Sequence, residues 1–243
     1  MVDKESLYER GLRAYNKITD HEFVKKCMIG VILIYIPLLV IGHIVASFLD
    51  PDGYSIVTNW ISDLGSIAHT PAPYLYDIAC IAAGILTIPF TYYMEKLLVS
   101  VPKAEGRDLK GQRWRVRLGS YAFLFSIIGN VGYIGVGIWS GDRDYPTALY
   151  GMGTHEICSA LAFGGFILGA LLMGLIIILY NTLIPKSIGL YGILGPLIVA
   201  IIYIIGGVPP SQPFWEWGML FAILIWVIPL SIIVFFKEEL IPR

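Results

Sequence analysis

Residues 27–49 read CMIGVILIYIPLLVIGHIVASFL, 23 positions without one Asp, Glu, Lys or Arg. About 20 apolar residues in a helix cross the ~30 Å hydrocarbon core of a bilayer. The run exceeds a signal-peptide core, follows 26 polar and charged residues, and has no small-residue cleavage site after it. It is therefore expected to persist in the mature protein as a first span.

Outward from this run, five more apolar stretches qualify, at about 75–98, 118–139, 155–180, 187–208 and 214–236. Between them lie segments with turn chemistry: DPDGYS (50–55), SGDRDYP (140–146) and GVPPSQP (207–213). Composition agrees. Of 243 residues, 56% are hydrophobic and 14% charged, against roughly a quarter charged in soluble domains. The mean hydropathy is +0.72. Long uniform runs exclude a membrane barrel, whose strands are ~10-residue alternating segments. The expected fold is all-α, a polytopic six-helix transmembrane bundle over 27–236 with segments 1–26 and 237–243 outside it.

Charge distribution sets the expected orientation. Sixteen of the 17 Lys and Arg fall in residues 1–26, the 96–117 region, Lys186 and the C-terminal tail. Only Arg143 lies on the other side. By the positive-inside rule both termini are cytoplasmic, and the protein is a multi-pass component of the cell membrane. The basic residues sit beside spans, where they meet anionic headgroups. They lack the interleaved aromatics of a single-strand nucleic-acid surface, so no nucleic-acid partner is expected. Tyr8, Leu12 and Tyr15 recur at helical spacing. That pattern fits either a short interfacial helix or a continuation of the first span.

Cys27, Cys80 and Cys158 form no C-x-x-C, which removes thiol-redox and zinc-knuckle motifs. Cys80 and Cys158 are expected as buried apolar residues, though a disulfide between them is left open. Gly165 and Gly169 make a G-x-x-x-G with Ala170 and Gly174 nearby. Such small residues allow close helix contact, inside the bundle or in a homo-oligomer through the fourth span. Pro89, Pro196 and Pro229 predict kinks within spans.

Polar residues concentrate toward the expected outer face. His43, Asn130, Asp77, His155, Glu156 and Glu216 lie near outer span ends, and Asn59, Asp63, His69, Asp142 and Asp144 lie in outer loops. Ionisable groups at membrane depth usually face a partner or a cavity. In SIVTNWISDLGS (55–66), Ile56, Val57, Trp60, Ile61 and Leu64 fall on one helical arc and Asn59 and Asp63 on the opposite one. This predicts a short amphipathic helix ended by Gly65. It is either a surface helix or a lid aiming Asn59 and Asp63 at the bundle mouth.

Three functions follow as alternatives. The leading one is a lipid-binding or membrane-organising protein with a polar pocket near the outer face. Its binding residues would be Asn59, Ser62, Asp63, Asn130, Asp144 and His155, with membrane lipids as partners. The second is an outward-facing metal-assisted hydrolase acting on lipid, with catalytic candidates His155, Asp63, Asp77 and Glu156. His43, His155 and Asp63 would be ligands to zinc, a cofactor that the sequence permits but does not require. The third is a haem-binding redox protein with His43 and His155 as axial ligands.

NWISDLGS (59–66) followed by APYLYDIACIAAGIL (72–86) resembles the signature of a prokaryotic membrane family, domain of unknown function 998. DRDYPTALYGMGTHEICSALAFGGF (142–166) resembles its second landmark, an Asp-containing outer loop leading to a His at the next span. The resemblance covers about 30–180. It implies that Ser62, Asp63, Gly65, Asp144 and His155 hold characteristic positions, and it supplies no reaction. The ISDLG element is also similar to a loop of eukaryotic DRAM-like six-span proteins. A more distant analogy links the outer His and Asp residues to ceramidase and adiponectin-receptor hydrolases, whose last-span histidines this chain lacks.

Overall fold

A computed structural model describes residues 4–99, 109–143 and 151–236. Seven α-helices carry the fold: α1 (Lys4–Ile18), α2 (His21–Leu49), α3 (Tyr74–Val99), α4 (Leu109–Ile138), α5 (Thr154–Leu179), α6 (Lys186–Ile205) and α7 (Gln212–Phe236). Two 3-10 helices, Ile61–Gly65 and Gly141–Arg143, sit in loops, and the described residues contain no strand. Six helices, all but α1, are long and apolar enough to cross a membrane. The architecture is thus the all-helical six-helix bundle of a multi-pass membrane protein.

α1 is a helix of its own and does not continue α2. The break falls at Thr19–Asp20, where the Asp20 side chain accepts the Phe23 N–H at 2.9 Å and starts α2. One face of α1 is held by Tyr15, which donates to Glu95 of α3 at 3.0 Å. Leu7, Tyr8 and Leu12 stay exposed, as an interfacial helix requires.

Neighbouring spans pack in chain order, α2 on α3 through to α6 on α7, while α2 and α7 touch only sparsely. In lipid, packing rather than water exclusion holds helices together, and the closest approach is α4 on α5. A Cβ placed on Gly165 would lie 2.6 Å from the Gly129 Cα, and one on Gly132 would lie 2.5 Å from the Ala162 nitrogen. Gly169 abuts Ser126, and Gly174 abuts Gly189 of α6. The small residues of the fourth span are therefore occupied within the bundle, against α4 and α6. Cys80 and Cys158 are buried free thiols. α2, α3, α6 and α7 each run on through an internal proline, Pro37, Pro89, Pro196 and Pro229.

At the end of the bundle where α5 finishes, Lys186 donates to the carbonyls of Ile177, Ile178 and Tyr180 at 2.6, 2.8 and 2.7 Å. It satisfies acceptors that a helix C-terminus leaves unpaired. Arg115, buried in α4, donates to the Leu98 carbonyl at 2.7 Å. Two apolar clusters fill the ends. Met94, Leu98, Ile176 and Leu230 lie in one; Tyr35, Ala79, Val136 and Trp217 lie in the other.

Candidate functional site

The 55–66 segment does not form the amphipathic α-helix that its periodicity predicts. It folds as a turn over 55–59 and then the 3-10 helix Ile61–Gly65. Its short polar side chains bond the nearby backbone and so compete with the helix. Asn59 Oδ1 accepts the Ser55 N–H at 3.1 Å, and Asp63 Oδ2 accepts the Trp60 N–H at 2.9 Å. Asn59 and Asp63 therefore cap successive turns instead of lining one face of an α-helix, and their side chains remain within hydrogen-bond reach of each other. Ile61, Leu64 and Gly65 are buried. Gly65 is required by proximity: an added Cβ would lie 2.9 Å from the Ser140 Cβ and 3.0 Å from Tyr76 Cδ1.

α7 clasps this loop. Glu216 Oε2 accepts the Ile61 N–H at 2.9 Å, Trp217 Nε1 donates to the Asn59 carbonyl at 3.3 Å, and Ser211 Oγ donates to the Val57 carbonyl.

The other polar residues of this end divide into separate contacts. His69 lies between two acids, with Nδ1 3.0 Å from Asp50 Oδ2 and Nε2 4.0 Å from Asp63 Oδ1. The Asp52 N–H, reinforced by His69, holds the Asp50 carboxyl below the usual carboxylate range. Burial pushes Asp63 above that range, with the Trp60 N–H pulling it back. Asp77 pairs with Arg143, and its Oδ1 has no hydrogen bond among the described residues. Asp142 accepts from the Ser66 hydroxyl at 2.5 Å and from the Ile67 N–H.

His155 Nδ1 donates to the Trp139 carbonyl at 2.6 Å, leaving Nε2 to accept from Ser159 Oγ at 3.4 Å. His43 packs edge-on against Tyr54 and Trp217. Glu156 is exposed and accepts the Gly153 N–H at 3.1 Å, capping α5. Ser62 sits half-buried on the 3-10 turn. Asp144 lies outside the described residues.

The candidate ligands thus have different surroundings: His155 and Asp63 are hydrogen-bonded to different groups, while His43 has ring contacts and its Nδ1 has no hydrogen bond among the described residues. Among the described residues no group of three or more His, Cys, Asp or Glu side chains could hold a metal ion. The donor set does not fit a zinc centre. Nor does it fit haem ligation, because both His155 nitrogens are engaged.

The structure instead contains a feature that sequence reading missed. α2, α3, α4, α5 and α7 enclose a cavity of about 130 Å³, with Ile61 at one end. Its lining runs from Tyr76 to Thr91 on α3 and from Glu216 to Ser231 on α7. Fifteen residues along each helix correspond to about 22 Å, so the cavity is a long narrow slot. Apolar side chains such as Met28, Phe90, Phe166 and Leu220 form most of its wall. On α2 and α7 the lining residue Ile32 is exposed and Ile36, Leu224 and Ile228 are half-buried, so the sparse α2–α7 seam is where the slot comes nearest the lipid-facing surface.

Most polar groups of the wall satisfy one another. Thr87 donates to Asn130 Oδ1 at 2.5 Å, and Asn130 Nδ2 donates to Thr91 at 3.0 Å. The Tyr133 hydroxyl donates to that of Tyr35 at 2.5 Å, and Ser231 donates to the Val227 carbonyl at 2.7 Å. Of the binding residues expected from the sequence only Asn130 is in the lining, where it ties α4 to α3. Glu216 is the lining's one carboxyl among the described residues. An acid inside an otherwise apolar span was the available signal for it. Tyr35, Tyr76 and Tyr133 gave none, because tyrosines at helical spacing read as packing. No protein-family model, curated protein or solved structure matches the chain.

Proposed function

We propose that this protein binds a lipid-like molecule inside the bundle, its apolar chain lying in the slot between α2 and α7. The slot's shape and lining carry this reading: about 130 Å³, some 22 Å long, with mostly apolar walls. An engineered apolar cavity of about 150 Å³ takes up benzene, and the same amount of space drawn out lengthwise suits a hydrocarbon chain. Entry through the seam requires no soluble route, because the occupant comes from the surrounding bilayer. The charge asymmetry of the loops supports the same proposal's orientation, with the Glu216 end outside and the termini in the cytoplasm of a cell-membrane protein. The likeness of the ISDLG and His155 segments to domain of unknown function 998 belongs to the same proposal.

The test is mass spectrometry of the detergent-purified chain, comparing wild type with Ala83→Leu. Ala83 is buried and lines the slot, so a larger side chain there occupies the space of the ligand. Wild type should retain a lipid or other apolar molecule that the variant lacks, at similar thermal stability. Absence of any retained molecule from wild type, or equal retention in the variant, would overturn the proposal.

A further inference from the structure

We infer that the slot selects an amphiphile with an amine cation at its head, seated on Glu216 with its tail along the apolar walls. This deepens the slot reading and rests on it.

Glu216 is 9% exposed and lines the slot. Its Oε2 accepts the Ile61 N–H, while Oε1 receives no hydrogen bond from a described residue. No described Lys, Arg or His forms an ion pair with it. A carboxylate removed from water without counter-charge is costly. An ammonium head supplies both the missing charge and N–H donors, and charge-assisted hydrogen bonds are the stronger kind. Tyr76 lines the same part of the slot and adds an aromatic ring, which favours a cation.

The surrounding charge has the same preference. Asp50, Asp52, Asp63, Asp77, Asp142 and Glu156 share this end of the bundle with Glu216. The one guanidinium among the described residues there, Arg143, already pairs with Asp77. The resulting negative field concentrates cations and disfavours fatty carboxylates and phosphate heads. Thr87, Asn130, Thr91, Tyr35, Tyr133 and Ser231 bond to one another or to their own helix, and the indole nitrogen of Trp226, which has no acceptor among the described residues, lies against Gly192 of α6. Glu216 is thus the polar anchor left at one end, and the rest of the slot receives hydrocarbon.

The experiment uses the full chain in neutral detergent at neutral pH. Hexadecylamine, hexadecanol and hexadecanoate are titrated separately, with binding read by native mass spectrometry and by thermal shift. Wild type should bind the amine on the order of tenfold more tightly than the alcohol, and the carboxylate least. Glu216→Gln should bind amine and alcohol alike and retain the alcohol affinity of wild type. Equal binding of the three probes by wild type, or tightest binding of the carboxylate, would overturn the head-group inference and leave the slot reading standing. Binding of none would remove both. If Glu216→Gln does not fold, the wild-type ranking decides by itself.

Discussion

Glu216 of α7 accepts the backbone N–H of Ile61 at 2.9 Å, joining the 3-10 turn to a helix 155 residues away. Ile61 is 3% exposed, so its N–H has no ready access to water. Glu216→Ala should leave that donor unpaired and lower stability by about 1–3 kcal/mol. Glu216→Gln, which keeps an acceptor in place, should lose less. Thermal melts of both variants in detergent check the order.

Gly65 should tolerate no larger residue. Its missing Cβ would meet Ser140 and Tyr76 at 2.9 and 3.0 Å. Gly65→Ala should cost about 1–3 kcal/mol, the usual range for forcing extra atoms into a packed site. An unchanged melting temperature would mean that the 3-10 turn shifts freely.

Asp77 and Arg143 should behave as a unit. Arg143→Gln leaves a carboxylate that is 7% exposed and whose Oδ1 already lacks a hydrogen bond. A loss of about 1–3 kcal/mol is expected, below the figure for a fully buried pair because the guanidinium is half exposed. Adding Asp77→Asn should recover part of it. Additive losses in a double-mutant cycle would count against the pairing.

Asp63 should make stability fall with rising pH. Burial raises its carboxyl above the usual range. A group raised in the folded state stabilises fully below the unfolded value near 3.9 and loses that contribution as pH climbs through the folded value. Asparagine has no such proton and still offers an acceptor to the Trp60 N–H. The melting temperature of Asp63→Asn relative to the parent should therefore increase from about pH 4 to about pH 7. Placing His69→Gln in both chains removes the neighbouring imidazole from the comparison. A flat or falling difference would show that Asp63 is not destabilised by its burial.

The six long helices were legible because crossing hydrocarbon demands uninterrupted apolar runs, and residues such as 27–49 allow no other fold. The separate α1 was half legible: Tyr8, Leu12 and Tyr15 gave its period, while the break at Asp20 depended on a cap. Gly165 and Gly169 announced close packing but not the partner, since a small-residue motif does not say which helix it meets. The 55–66 helix was misread because periodicity ignores what Asn59 and Asp63 can bond locally. The outer polar residues had matched depth, and depth leaves rotation about the helix axis undetermined. His43 and His155 consequently turned out to serve different neighbours. The slot was invisible for a related reason: five helices contribute its wall, and no linear pattern records which of their faces meet.

The sparse meeting of α2 with α7 has a bearing on biogenesis. Spans α2 to α5 can pack in order as they leave the ribosome, but until α7 arrives they form a trough with one side missing. Ile61 also waits for its acceptor until Glu216 has been synthesised. The arrival of α7 would then complete the wall and fasten the loop in one event, so a molecule already resting in the trough would be enclosed during assembly, with the seam left for later exchange.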